Sequence, residues 1–506
     1  MKKSIIFIFL AATVLVGCSK KFLDINSNPN QPTTVGLNVI LSAALQGSSN
    51  DMANDFVNVT RWDAQWSRSG NYVPDVQTEE YSIPNSYTDG EWTRIYLTLN
   101  AYNNLEVGAA KKIGSQFYLG VAKLMKAFHF ATLVDMYNDV PYKNAFDPLN
   151  SVHPVYDKGS DIYADLFVQI DSAIDYFELA KNTFSLQEEP FDIAYGKLKD
   201  ITAEMDSWKK FANTLELKMM IHQSQLSGQA GFITSQLAKI AANGAGFIGA
   251  DQSVAVNPGY TNSTNKISPF YGAFFLVTAP TTNVAFYRAN TYAINFYKAA
   301  NDPRIGYFYD VVANTSTYAG NFDGDPAAVP NAATSPIGPG VLKGPVQDAL
   351  LLSDFESLFL QAEAAQRGWI ADDPQALYES AITQSFKYLY KGADGSIPGT
   401  LDPVADAQTY FAQAIPDVGW VSSTDKVHAI ITQKWAALNG INWAEAWTDY
   451  RRTGIPDLPI SSSNNHVEPK IPIRFLYPQV ELNTNGANVP SLPANAQFSE
   501  KVFWNQ

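Results

Sequence analysis

The 506-residue chain carries 49 acidic against 35 basic residues, a formal charge of −14, with 46% hydrophobic and 17% charged residues. This is a globular composition, long enough to bury a large core without disulfides, and its acidity argues against nucleic acid or anionic lipid as a partner. A single cysteine, Cys18, rules out intrachain disulfides and zinc sites built from several thiolates.

The chain opens with Lys2 and Lys3, an apolar run from Ile5 to Val16, and Leu15-Val16-Gly17-Cys18. A basic start, a short apolar core and small residues at the cut are the marks of a secretory signal, and the run is shorter than the ~20 residues that cross a bilayer. With the one thiol placed at the cut, the pattern predicts a lipoprotein signal peptide over 1–17, lipidation at Cys18 and a tether over 18–32. An ordinary signal peptide with an incidental cysteine is the alternative. One domain is expected over 33–506, because no Gly/Ser linker or charge block divides it.

After the first helical region, Trp66, Arg68, Tyr72, Tyr81, Asn85 and Tyr87 fall in turn-rich sequence with Pro74 and Pro84. Phe117, Val121, Leu124 and Phe128 then recur at helical spacing, as do Trp208, Phe211, Ala212, Leu215 and Met219. Two stretches, about 244–280 and 314–345, turn rich in Gly, Pro, Asn, Thr, Ser and Tyr without a sustained period and read as long irregular excursions. Between and beyond them the signals are again helical. Ser353-Asp354-Phe355-Glu356 is a capping box that opens a helix ending near Gly368, and Asp373-Pro374 opens a second that ends near Gly392. The two form a helical hairpin of the tetratricopeptide kind. Val427, Ile430, Ile431, Trp435 and Leu438 make a further stripe. Asn442 with Glu445 repeats the capping spacing for a short helix ending before Gly454 and Pro456.

Several segments together resemble one known family. They are Asp24-Ile25-Asn26-Ser27-Asn28-Pro29-Asn30 with Pro32-Thr33, Asn138-Asp139-Val140-Pro141-Tyr142, and Trp208 to Leu215. Ser353-Asp354 through Glu363-Ala364-Ala365-Gln366-Arg367-Gly368 belongs with them, and so do Gln433-Lys434-Trp435, Glu445-Ala446-Trp447, Tyr450 to Pro456, Ile471 to Arg474 and Tyr477-Pro478. The chain is similar in these to the SusD/RagB outer-membrane lipoproteins, in their SusD-like branch. The resemblance implies a mostly α fold: a right-handed helical scaffold of four tetratricopeptide-like helix pairs with long loops and small β-elements. It also implies a lipid-anchored protein of the outer membrane, facing the cell exterior. Such a protein binds oligosaccharides, or in some relatives peptides, and passes them to a TonB-dependent, SusC-like transporter as its lid. It implies binding without cleavage and without a cofactor.

The residues offer little to a competing enzyme reading. His129, His153, His222, His428 and His466 are scattered, and no metalloprotease, nucleophile-elbow or phosphate-loop motif occurs. A helical glycoside hydrolase or lyase is the alternative of another class. Asn321, Asp323 and Asp325 alternate oxygen side chains along a Gly-containing turn as calcium loops do, but the bidentate Glu such a loop needs would fall on Ala332. Arg451 and Arg452 sit in the last turn of a helix, where they complement its dipole, and read as anchors of the fold. For the ligand, rings outside the helical stripes are the candidates, since an aromatic face stacks on sugar while Asn or Arg hydrogen-bonds its rim. Relatives place part of a shallow aromatic cradle after the first helical region. The first choice is therefore Trp66, Arg68, Tyr72, Tyr81 and Asn85, and the loop rings Tyr260, Tyr271 and Tyr318 come second.

Overall fold

Five of the long scaffold helices begin on a side-chain cap, whereas the four that precede them in the chain start without one. In the computed structural model, which describes residues 35–184 and 191–505, Asp200 accepts from the Ala203 amide, Ser353 from Glu356, Asp373 from Gln375, Asp425 from His428 and Asn442 from Glu445. Each side chain satisfies an amide that the first helical turn would otherwise leave unpaired. The expected signal peptide, Cys18 and the whole of the tether lie outside the described residues.

In chain order the elements that build the scaffold are α1 (Leu37–Asn54), β1 (Trp66–Arg68), α2 (Asp89–Ala109), α3 (Gln116–Tyr137), α4 (Gly159–Ala180) and α5 (Ile201–His222). They continue with β2 (Val254–Val256), α6 (Pro269–Phe274), α7 (Thr282–Phe286), β3 (Tyr287–Ala289) and β4 (Ala349–Leu352). The last are α8 (Asp354–Gln366), α9 (Pro374–Tyr390), α10 (Lys426–Ala437) and α11 (Trp443–Thr453). From α1 to α5 each scaffold helix packs on the next, α5 meets α8, and α8 packs against both α9 and α10. The mostly α scaffold expected from the resemblance is the one observed. The helix α3 is apolar and long enough to cross a membrane by composition alone. It is instead the central core helix, with Leu124, Met125, Leu133 and Val134 fully buried. Its approach to α4 is close: a Cβ on Gly120 would stand 2.7 Å from the Phe177 ring.

The β-elements are small antiparallel ribbons. β1 pairs with β3 in the register Trp66↔Ala289, Ser67↔Arg288, Arg68↔Tyr287, and β2 pairs with β4 through Val254↔Leu352. The excursion expected over about 244–280 therefore contains a strand and the helix α6. Both are too short to impose a period on the sequence, and α6 buries only Phe274. The excursion over about 314–345 is irregular as expected, apart from the single turn Asn331–Ala333.

Where α5, α8, α10 and α11 meet, the core is ionic. Glu445 on α11 receives Lys434 and, at 2.7 Å, Lys218; Lys218 also meets Glu356 at 2.9 Å. Lys434 continues to Asp449 at 3.0 Å, and Arg452 joins Asp449 at 2.8 Å to Glu363 at 2.7 Å. Arg451 takes a different course: its guanidinium lies 3.8 Å from the centre of the Trp447 ring and donates to backbone carbonyls. Both arginines of the Tyr450–Pro456 signature are thus anchors of the fold.

His222 belongs to the same network, between Asp135 at 3.3 Å and Glu445 at 3.1 Å. Burial alone would lower its pKa, but the two carboxylates outweigh that and hold it above the ordinary value. The folded chain thus binds this proton more tightly than the unfolded chain. Its stabilisation is complete below the unfolded pKa of about 6.5 and is lost as the pH rises through the folded value. Urea titrations of the protein and of His222→Gln at several pH values are expected to show a stability gap that is widest in mild acid and narrows in alkali. A pH-independent gap would mean that the ring is neutral throughout.

Candidate ligand-binding surface

The first-choice segment is organised by one buried cation. Arg61, in the turn Val59–Trp62, donates to Asp75 at 2.6 Å, to Glu79 at 2.7 Å and to Asp323 at 2.7 Å, and its guanidinium lies 5.7 Å from the centre of the Phe286 ring. Glu79 is shared with Arg68, which also donates to the Tyr72 carbonyl. Three stretches of chain, 69–79, 286–289 and 321–329, are therefore pinned around one point. Burial, working against Arg61, pushes Asp323 up to about 6. Burial also opposes ionisation of Asp75, but there Arg61 and Thr78 prevail and its pKa is lowered.

The fold removes half of the expected ligand residues from the surface. Trp66 is fully buried, edge-on to Phe274 at 5.9 Å and 5.2 Å from Tyr287. A Cβ on Gly440, whose φ is +67°, would come within 2.8 Å of that indole, so the ring fills a core slot and offers no face to a ligand. Arg68 is neutralised by Glu79 in the interior. Tyr81 is 1% exposed, with its hydroxyl accepting from the Ser461 amide at 2.7 Å and its ring stacked on His466. Asn85 is half-buried and tied down, donating to the Tyr477 carbonyl at 2.7 Å. Tyr260 is buried, and its hydroxyl donates to Gln46 at 3.0 Å. These five are structural pins, because buried polar atoms must find partners and large rings are the cheapest filling for irregular seams.

Three of the expected rings remain half-exposed. Tyr72 stands edge-on to Phe286 at 5.3 Å, Tyr271 stacks on Phe275 at 4.8 Å, and Tyr318 lies over Gly306 with its carbonyl accepting from Lys298 at 2.9 Å. Their partners Phe275 and Phe286 were not singled out from the sequence. The available signal was the Phe274-Phe275 pair followed by Leu276-Val277-Thr278-Ala279-Pro280, apolar residues in a turn. That turn is closed by the Leu276 amide donating to Ala279 at 2.8 Å, and it leaves Leu276 exposed. Asn283 on α7 holds it in place by donating to the Ala273 carbonyl at 3.0 Å. The surface is thus a pair of aromatic couples on loops and short helices, Tyr72 with Phe286 and Tyr271 with Phe275. Asn71 and Asn331 border the first couple and are joined by the Asn331 amide donating to Asn71 Oδ1 at 2.7 Å. The Asn331 side-chain oxygen is buried without a partner.

The calcium candidates do not converge. Asp323 is spent on Arg61, while Asn321 donates to the Arg68 and Val329 carbonyls and accepts from the Val329 amide. Asp325 turns to the Ala327 amide at 2.7 Å. Among the described residues no group of three His, Cys, Asp or Glu side chains is placed to hold a metal ion.

Over residues 29–478 the chain matches the sequence profile of the SusD-like family described as starch-binding and associating with the outer membrane. No curated protein matches. Among solved structures, a SusD homologue from Bacteroides fragilis is 22% identical with a TM-score of 0.73, the match covering 94% of this chain and 100% of that one. A SusD/RagB family protein from Bacteroides thetaiotaomicron is 20% identical over 93% and 99% of the two chains, with a TM-score of 0.71. A chitin-binding SusD homologue from Flavobacterium johnsoniae is 20% identical over 92% and 98%, with a TM-score of 0.72. The length of the profile match and the shared scaffold agree with the signatures around Trp208, Glu363, Trp435 and Arg452, and the chain belongs to the SusD-like family.

Proposed function

We propose that this protein is a lipid-anchored glycan-capture protein of the outer membrane. It holds an oligosaccharide at the cell surface and passes it, uncleaved, to a TonB-dependent SusC-like transporter for which it is the lid. The observation that carries the reading is the pair of half-exposed aromatic couples, Tyr72 with Phe286 and Tyr271 with Phe275, on loops fixed to a rigid helical body. Rings of this kind present flat apolar faces to the hydrogen-bearing faces of sugars at little entropic cost. Asn71, which is exposed, supplies a polar edge beside the first couple. The family's description as starch-binding and the chitin-binding homologue support a carbohydrate ligand. The lipidation pattern at Cys18 supports attachment to the membrane.

Calorimetric titration against neutral and acidic polysaccharides and a mixed peptide digest, with analysis of the products, tests this reading. Tyr72→Ala and Phe286→Ala are each expected to weaken binding of the recognised glycan by about 3- to 10-fold without changing the fold. Unchanged affinity in both variants would move the site elsewhere. Binding of peptides alone would change the ligand class, and new reducing ends would make the protein an enzyme.

A further inference from the structure

A cavity of about 230 Å³ opens between the β2/β4 ribbon and the C-terminal end of α9, and it shares no lining residue with the Tyr72 surface. It is smaller than the ~300–1,000 Å³ typical of drug-sized sites, so it takes a single residue-sized unit. In its wall, Lys343 Nζ donates to the carbonyls of Tyr388 at 2.6 Å and Lys391 at 2.7 Å, which the end of α9 leaves without helical partners. An ammonium has three donors. The third proton has no hydrogen-bond partner among the described residues, and no carboxylate lies within 4.0 Å of Lys343. The Tyr388 ring stands 4.4 Å from the ammonium, and among the described residues its hydroxyl has no hydrogen-bond partner.

The acids around the cavity are differently placed. Asp251 is taken by Lys387 at 2.5 Å. Asp354 accepts from Ser253 Oγ at 3.0 Å and from the amides of Asp251 at 2.8 Å and Phe355 at 2.9 Å. Asp348 is exposed and accepts from Asn257 at 2.7 Å. Lys391, 4.0 Å from Asp251, and Lys197 add two more cations to the lining. The wall thus offers an uncompensated ammonium and a free phenol, a donor pair suited to an anion's oxygens.

We propose that this cavity is a second binding site, for the carboxylate of a residue-sized ligand, with Lys343 Nζ and Tyr388 Oη donating to its oxygens. Burial, and then the neighbouring Lys391, hold the Lys343 pKa down to about 7, and an incoming carboxylate supplies the counter-charge that the folded protein lacks. Charge-assisted hydrogen bonds of this kind are about twice as strong as neutral ones. The same chemistry is offered by a uronic acid residue and by the C-terminal carboxylate of a peptide.

Titration of the full chain in detergent with galacturonate, galactose, N-acetylalanine and N-acetylalaninamide separates the cases. Binding is expected for galacturonate or for N-acetylalanine, each above its neutral counterpart, and whichever binds names the source. Lys343→Met is expected to weaken that binding by about tenfold or more, and Tyr388→Phe by about two- to fivefold. Because the Tyr388 hydroxyl bonds to nothing among the described residues, Tyr388→Phe keeps the test open should Lys343→Met fail to fold. Equal binding of charged and neutral members of a pair, no binding of any probe up to about 10 mM, or an unaltered affinity in Tyr388→Phe would overturn the proposal.

Discussion

Replacing Glu445 by alanine is expected to cost about 3–5 kcal/mol of folding free energy, the usual penalty for breaking a buried ion pair from one side. Glu445 is 2% exposed and takes three cationic partners from two other helices, Lys218 and His222 on α5 and Lys434 on α10. Burial opposes its charge, but those partners prevail and hold its pKa well below the usual carboxylate range. Alanine would leave Lys434, itself buried, with Asp449 alone, and Lys218 with Glu356 alone. The cap of α11 is untouched, since it is the Glu445 backbone amide that donates to Asn442. Urea denaturation gives the loss directly. Glu445→Gln, which keeps the shape and removes the charge, separates electrostatics from packing. A loss below about 1 kcal/mol in Glu445→Ala would show that the network contributes no net stability, as some buried ion clusters do not.

Arg61→Met is expected to be comparably damaging, by about 3–5 kcal/mol, with consequences that spread to the ligand surface. Methionine fills much of the volume of the arginine stem but leaves Glu79 and Asp323, both buried, without their shared cation. Arg68 keeps Glu79 partly compensated, so Asp323 carries most of the penalty. The segments around Tyr72 and Asn321 are tied to the body through this cluster. Hydrogen exchange is expected to accelerate over 70–80 and 321–330 while α3 and α5 stay protected. Affinity for the recognised glycan should fall along with Tyr72. Exchange accelerated uniformly over the chain would show that Arg61 supports the global fold and does not act as a local clasp. Double replacement of Arg61 with Asp323→Asn should recover part of the loss, since it removes the stranded charge together with its partner.

The ends and pairings of the C-terminal scaffold helices were written locally in the sequence. Ser353, Asp373 and Asn442 cap the helices that their spacing predicts, and the stripes from Phe117 and Trp208 lie in the helices α3 and α5. Capping and helical periodicity act over a single turn or a few turns, so one chain without homologues suffices to read them. The same signatures carried the family, because Lys434, Glu445, Arg452 and Glu363 are the ionic joint that holds those helices together.

Which rings face solvent was decided only by the tertiary structure. Trp66, Tyr72 and Tyr81 stand in one turn-rich segment, yet Trp66 fills a slot made by Phe274, Tyr287 and Gly440, and Tyr81 is covered by His466 and Ser461, while Tyr72 stays open beside Phe286. The fate of the calcium candidate was likewise remote from its own loop, since the partner of Asp323 lies 262 residues away at Arg61. Burial and ion pairing depend on what the rest of the chain brings to a side chain, and an irregular segment has no period from which that can be read. By itself the sequence determined the scaffold, the family and the marks of a lipid anchor. Long-range packing selected, from a surplus of aromatic residues, the few left facing solvent.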